Sequence, residues 1–202
     1  DAADFVLVNG GLGGSPTISG VTGSGAGPYV VTASSGSGNG TLGLSLVDDD
    51  TIVDGSANIL GGIGAGNGDS TGQVYDIDKD VPSVTIEQAD TQADPTPDSP
   101  INFTVNFSEP VIGFSGSDIT VGGSTTGTKT AVVTGSNPYN VAISGMTSSG
   151  TVIPTVNVGG ASDFAGNGNT VSTSADNSVQ YDMPTFDILS SANAGGTISP
   201  LG

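Results

Sequence analysis

INFTVNFSEPV (residues 101–111) places Ile101, Phe103, Val105 and Phe107 at every second position. A period of two puts all four side chains on one face of a β-strand, with Asn102, Thr104 and Asn106 on the other. That pattern belongs to a strand with one face on a core. Outward from it the chain keeps the same habit. SVTIEQ (83–88) alternates just before it, and DITV (118–121), TAVVT (130–134), YNVAIS (139–144), TVIPTVNV (151–158) and SVQYD (178–182) come after it. Upstream, FVLV (5–8), PYVVTA (28–33), TLGLSLV (41–47) and GQVYDI (72–77) read the same way. Short β-branched runs separated by turn residues predict many short strands. No segment sustains a 3.6-residue apolar period, so almost no helix is expected. Pro154 falls inside a strand pattern, which predicts an edge or a bulge there.

Composition narrows the function. The chain has no Cys, His, Trp or Arg, and its only basic side chains are Lys79 and Lys129. Against 20 carboxylates this gives a formal net charge of −18. A basic footprint for nucleic acid is missing, and an anionic membrane surface is disfavoured. No apolar run approaches the ~20 residues of a membrane span, so no membrane insertion is expected. Without His or Cys there is no Ser–His triad and no thiol nucleophile. A carboxylate pair alone could hydrolyse glycosides, but the aromatic platforms that hold sugar are sparse. The expectation is that the chain is not an enzyme.

The chain also repeats itself. VTGSGAGPYVV (21–31) returns as VTGSNPYNV (133–141), GSGNGTLGLSL (36–46) as TSSGTVIPTV (147–156), and VYDID (74–78) as VQYDM (179–183), about 105–115 residues apart. These matches pair Tyr29 with Tyr139 and Tyr75 with Tyr181 and suggest packing roles for all four. They divide the chain into residues 1–81, the C-terminal part of a β-sandwich lacking its first strands; 82–182, a complete immunoglobulin-like sandwich; and 183–202, a linker and the first strand of a following β element. The fold class expected is all-β, tandem immunoglobulin-like sandwiches.

The stretch SVTIEQADTQADPTPDSPINFTVNFSEPVIGFSGSDITV (83–121) holds the runs FSEPV (107–111) and GFSGSDI (113–119), and SDFAGNGN (162–169) lies further along the chain. Together they resemble the bacterial Ig-like repeats of giant cell-surface, adhesin-type proteins. LGLSLVDDDTIVDGSANILGGIGAGNGDSTGQVYDIDK (42–79) resembles a variant repeat ending, and FDILSSANAGGTISPLG (186–202) resembles the start of a different bacterial β-repeat. The resemblance implies a secreted or cell-surface stalk, adhesin or matrix component, often with bound Ca²⁺.

Three acidic groupings offer the convergent oxygens a hard cation needs. The first is Asp48, Asp49 and Asp50 with Asp54 and Asn58. The second is Glu109 with Asp163, Asn167 and Asn169. The third is the linker carboxylates Asp76, Asp78 and Asp80, with Asp94 and Asp98. None has EF-hand spacing, and Asp and Asn also serve turn geometry. GGIGAGNGD (61–69) resembles one copy of a calcium β-roll nonapeptide, but a single copy reads better as a Gly-rich loop.

Two functions of different class fit these features. One is a structural or adhesive extracellular repeat segment, a stalk or filament-forming protein stiffened by calcium, its adhesive target lying elsewhere in the parent protein. Its partners are neighbouring repeats, or copies of itself exchanging a strand in which 183–202 of one copy completes 1–81 of the next. The alternative is a carbohydrate-binding module of a secreted protein.

Overall fold

The computed structural model describes residues 1–185. They form twelve strands, with no α-helix among the described residues. The chain divides into two compact units: Asp1–Pro82 together with Ser162–Gly168, and Ser83–Ala161 together with the residues from Asn169 onward. The strand expected around Phe186–Ile188 lies outside the described residues.

The second unit is built on the stretch that predicted it. Strands β6 (Val84–Gln88), β7 (Ile101–Phe107), β10 (Tyr139–Ser144) and β9 (Thr130–Gly135) make one antiparallel sheet in the order β6-β7-β10-β9. Strands β12 (Val179–Tyr181), β11 (Gly150–Val156) and β8 (Ile119–Gly122) make the other, in the order β12-β11-β8. Seven strands split four and three in this order are the constant-type immunoglobulin sandwich. Ile101, Phe103, Val105 and Phe107 all point inward and are buried, and they pack with Ile86, Val141, Ile143, Val152, Val156 and Val179 in one cluster. Each such side chain, fully buried, contributes roughly 1.5–3 kcal/mol. At one end Phe107, Phe114 and Tyr139 stack edge-to-face, with ring centroids 5.1–6.0 Å apart.

The first unit holds β1 (Phe5–Gly10), β2 (Thr17–Thr22), β3 (Val30–Ser34), β4 (Gly40–Leu46) and β5 (Ser70–Ile77). They form a three-stranded sheet, β1-β4-β5, and a two-stranded hairpin, β2-β3. Strand by strand, β1, β2, β3, β4 and β5 correspond to β8, β9, β10, β11 and β12. The registers agree in detail. Phe5 faces Leu46 as Ile119 faces Val156, and Val21 faces Val31 as Val133 faces Val141. A 3-10 turn with a capping box leads into β1 at Ala2–Asp4 and into β8 at Gly116–Asp118. Val47 N–H donates to Asp4 O (2.8 Å) as Asn157 N–H donates to Asp118 O (2.8 Å). Gly23 (φ 131°) and Gly135 (φ 85°) occupy the same place after β2 and β9, a backbone region that L side chains enter only with strain.

Three expectations change. β2 begins at Thr17, four residues before the quoted match, because its Gly and Ser residues hide the alternation. Tyr29 and Tyr139 are equivalent, but Tyr75 is not the counterpart of Tyr181. Tyr75 pairs with Leu42, as Val179 pairs with Val152, and Ile77 takes the tyrosine's place opposite Gly40. Pro154 sits in β11, a central strand rather than an edge. β12 pairs with β11 only through Val152. Val156 turns its N–H and C=O to Ser172, so Pro154, two residues earlier, faces the same flank, where β12 has already ended. Its missing N–H therefore breaks no ladder bond.

Phe103→Ala is expected to destabilise the second unit by about 3–5 kcal/mol, the range for emptying a sealed core position. Leu44→Ala, at a half-buried site of the first unit, is expected to cost roughly 1 kcal/mol. Urea denaturation monitored by residue-resolved amide signals in each unit measures both.

Candidate functional site

The acidic groupings are turn devices first. In the first unit Asp54 and Asn58 close a loop: Asp54 N–H donates to Asn58 O (3.0 Å), Asn58 N–H donates to Asp54 Oδ1 (2.9 Å), and Asn58 Nδ2 donates to Asp54 Oδ2 (2.8 Å). Asp163 and Asn167 repeat the arrangement: Asp163 N–H donates to Asn167 O (3.1 Å), and Asn167 N–H and Nδ2 donate to the two Asp163 oxygens (2.8 Å each). The flanking bonds match as well, Leu60 N–H to Ile52 O and Asn169 N–H to Ala161 O, both 2.9 Å. One D-x-x-x-N turn thus recurs in DGSAN (54–58) and DFAGN (163–167). Its spacing was readable in the sequence at the lag of the other matches. In both copies the aspartate pKa is lowered for the same leading reason, the hydrogen bond from the asparagine side chain, with backbone N–H donors adding to it.

The Asp48–Asp50 run is anchored the same way. Asp48 is buried, and its Oδ2 accepts from Gly68 N–H (3.0 Å) while its carbonyl accepts from Gly66 N–H (2.7 Å). Asp69 Oδ1 accepts from Asp48 N–H (2.7 Å). Both oxygens of Asp50 accept from Gly64 N–H (3.1 Å). Asp49 accepts from the N–H and hydroxyl of Thr51, the hydroxyl bond being the main cause of its lowered pKa. Asp48 and Asp50 therefore fold the Gly-rich loop 61–69 back onto residues 48–50. Amide donors relieve the repulsion that a triple aspartate would otherwise carry.

The residues of the second grouping are divided between the two units. Asn169 belongs to the second unit and is fully buried. Its Oδ1 accepts from Ala161 N–H (2.7 Å), and its Nδ2 donates to Asn157 O (3.0 Å). Leu60 stands at the equivalent place in the first unit, which fits a packing role. Glu109 lies in the second unit, half-buried two residues after β7. Of the linker carboxylates, Asp76 is exposed on β5 opposite Thr41, and Asp80 N–H donates to Asp78 Oδ1 (3.0 Å). Asp94 and Asp98 are in the second unit, where Asp94 Oδ1 accepts from Gln180 N–H (2.9 Å). One pair comes together across grouping lines. Within the first unit, Asp78 and Asp163 bring carboxylate oxygens within 4.8 Å of each other, and Asn167 Nδ2 donates to Asp78 O (3.2 Å). A cation with ligand distances of about 2.3–2.6 Å can bridge two such oxygens.

Glu87 is a segment-anchoring carboxylate that sequence reasoning missed. It accepts from Ala175 N–H (3.0 Å), Asp176 N–H (2.7 Å) and Ser174 Oγ (2.9 Å). Thr173 makes a parallel bridge with Thr85, so the segment 173–176 covers the outer edge of β6. Partial burial pushes the Glu87 pKa up, but the amide and hydroxyl donors outweigh it and the net shift is downward. Among the described residues no buried polar side-chain atom lacks a hydrogen-bond partner. None of the described helices is long and apolar enough to cross a membrane.

Seven strands in two sheets, closed by amide-anchored acidic turns, define an immunoglobulin-like structural module. The family model for the bacterial Ig-like domain matches residues 78–182, and the chain belongs to that family. Domains of this family are surface-associated or extracellular repeat modules, typically structural rather than catalytic. No curated protein and no solved structure matches the chain.

Asp54 and Asp163 are expected to titrate below an ordinary aspartate in carboxyl-detected NMR. Asn58→Ala and Asn167→Ala should each raise the pKa of their own partner and leave the other unmoved. Because a lowered folded pKa stabilises above the unfolded value of about 3.9, that stability is lost as pH falls through the folded values. Each substitution should therefore flatten the acid side of the stability profile.

Proposed function

We propose that the chain is a spacer segment of an extracellular stalk or filament-forming surface protein, built from tandem Ig-like units and non-catalytic. The observation that carries this reading is the internal duplication: five strands, their pairing and the D-x-x-x-N turn are built twice in one chain. Duplicated units with little specialised side-chain chemistry suit a role in which length and mechanical continuity matter. The net charge of −18 favours a solvated, non-aggregating surface. Calcium is part of the proposal, held by Asp78 and Asp163. Their oxygen separation suits one bridging ion, which would tie the segment after β5 to the D-x-x-x-N turn at 163–167.

Single-molecule pulling tests the spacer role. The second unit should give a discrete unfolding event, with release of residues 83–182 adding roughly 300 Å of contour. Extension without a resolvable event contradicts the reading, and robust hits on a glycan array would favour the carbohydrate-binding alternative instead. Calcium should raise the melting temperature of the intact chain at low salt, and Asp78→Asn should remove the shift. An unchanged midpoint in excess chelator rejects the calcium part alone.

A further inference from the structure

The long connection from β11 to β12 crosses the second unit as a strap. Its residues 173–176 run beside β6 and parallel to it. Thr173 bridges Thr85, and Thr173 N–H donates to Val84 O (3.0 Å), Ile86 N–H to Thr173 O (3.1 Å) and Gln88 N–H to Asp176 O (2.6 Å). The flanks of the strap are tied to the other sheet. Ser172 N–H donates to Val156 O (3.1 Å) and Asn177 Nδ2 to Pro154 O (2.7 Å), both acceptors lying in β11. A second parallel contact follows where Thr96 bridges Tyr181 of β12. There Thr96 N–H donates to Gln180 O (2.9 Å), Asp182 N–H to Thr96 O (2.8 Å) and Gln180 N–H to Asp94 Oδ1 (2.9 Å).

Both contacts join the first segments of the second unit to its last. Tension entering at Ser83 draws β6 toward its N-terminal end. Tension leaving at Asp182 draws the strap and β12 toward their C-terminal ends. Between parallel neighbours these pulls are opposed along one axis, so the bonds are loaded together, in shear. Between antiparallel neighbours the same pulls would enter at one end and open the bonds one at a time. Glu87 sits within the first contact and accepts from Ser174 Oγ (2.9 Å), Ala175 N–H (3.0 Å) and Asp176 N–H (2.7 Å). Covering a strand edge requires only main-chain pairing. The carboxylate adds charge-assisted bonds, which are stronger than neutral ones. It adds them to a strap whose residues 173–176 are all exposed, so apolar burial does not hold it.

We propose that the strap 173–176, latched to β6 by Glu87, is a shear clamp that sets the second unit's resistance to stretching along the chain. The inference rests on the spacer reading, in which tension crosses the unit from end to end. Glu87 is a positioning residue in it. By fixing the strap against β6 it makes the three backbone bonds between them yield as one. The core sets the unit's stability in denaturant, and the clamp sets the rate at which it gives way under load. The two properties are therefore separable by substitution.

The chain has no cysteine, so thiol handles for single-molecule pulling attach only where they are introduced. Ser83→Cys with Asp182→Cys loads the intact 202-residue chain in shear. Asp90→Cys with Ser178→Cys grips past the same end of β6 and of the strap and peels them apart. All four positions are exposed. The shear pair should rupture at the higher force. Glu87→Ala should speed rupture of the shear pair at fixed load by roughly tenfold or more, the loss expected for bonds to a charged acceptor. Phe103→Ala should lower the urea midpoint further than Glu87→Ala but speed shear rupture less, because the core is still packed when the clamp yields. Equal rupture forces for the two handle pairs overturn the clamp, as does a Glu87→Ala chain that ruptures at the parental rate. Those results leave a resolvable unfolding event and so spare the spacer reading. Extension of the parent chain with no event at all overturns both.

Discussion

A sandwich is sealed only when both of its sheets are wide enough to cover each other, and in this chain one strand makes the difference. β7 pairs with β10 on one flank and β6 on the other, and sends four alternate side chains inward. With it in place Val141, Ile143, Val152, Val156 and Val179 are completely shielded from water. In the first unit the equivalents of β8 to β12 fold into the same strands and registers, yet Leu12 is its one buried large apolar side chain among the described residues. Local pairing and turn chemistry thus build the frame without β7, and sealing the core requires it. Since apolar burial is the dominant favourable term in folding, the two units share a topology and differ in what holds it.

With 20 carboxylates and two lysines, ion pairs cannot organise this surface. The lysines are themselves bonded to main-chain carbonyls, Lys79 Nζ to Gly36 O (2.6 Å) and Lys129 Nζ to Thr125 O (2.8 Å). The carboxylates turn instead to backbone N–H groups. Asp48, Asp50, Asp54, Asp163 and Glu87 each accept at least one, and the loops they close are rich in glycine or small residues. A charged acceptor makes a shorter and stronger bond than a neutral one, and the glycines let the backbone curl around it. The acidity and the glycine content of the sequence are therefore two halves of one way of building loops.

Much of the fold was legible because its signals are local. Alternation at 101–107 placed β7, and the same period located ten of the other strands. β2 was lost because Ser19 and Gly20 interrupt its apolar positions and a bulge falls at that point. The Tyr75–Tyr181 match failed because similar letters, VYDI and VQYD, sit two positions apart in register. The metal groupings were the least legible part. Composition shows which residues can ligate a cation, but an aspartate closing a turn and one holding an ion have the same neighbours in sequence. What separates them is the donor each oxygen faces, and that is fixed by the fold. The recurrence of D-x-x-x-N at both ends of the repeat lag was the one sequence signal that would have assigned Asp54 and Asp163 to turns first.

That assignment changes how a response to salt or calcium is to be understood. Asp48, Asp50 and Asp54 already have amide partners on their oxygens, so an ion drawn there must compete with bonds that the loop needs. Asp78 and Asp163 have amide partners too, but they also bring carboxylate oxygens within 4.8 Å of each other and so concentrate negative charge in one place. Elsewhere the cost of −18 is a diffuse self-repulsion, which any electrolyte reduces once the screening length falls to about 8 Å at physiological ionic strength. Monovalent salt and calcium should therefore act alike over most of the surface and part company only where two carboxylates are held close. A calcium effect that persists at high sodium chloride points to that pair, while one that vanishes there is ordinary screening.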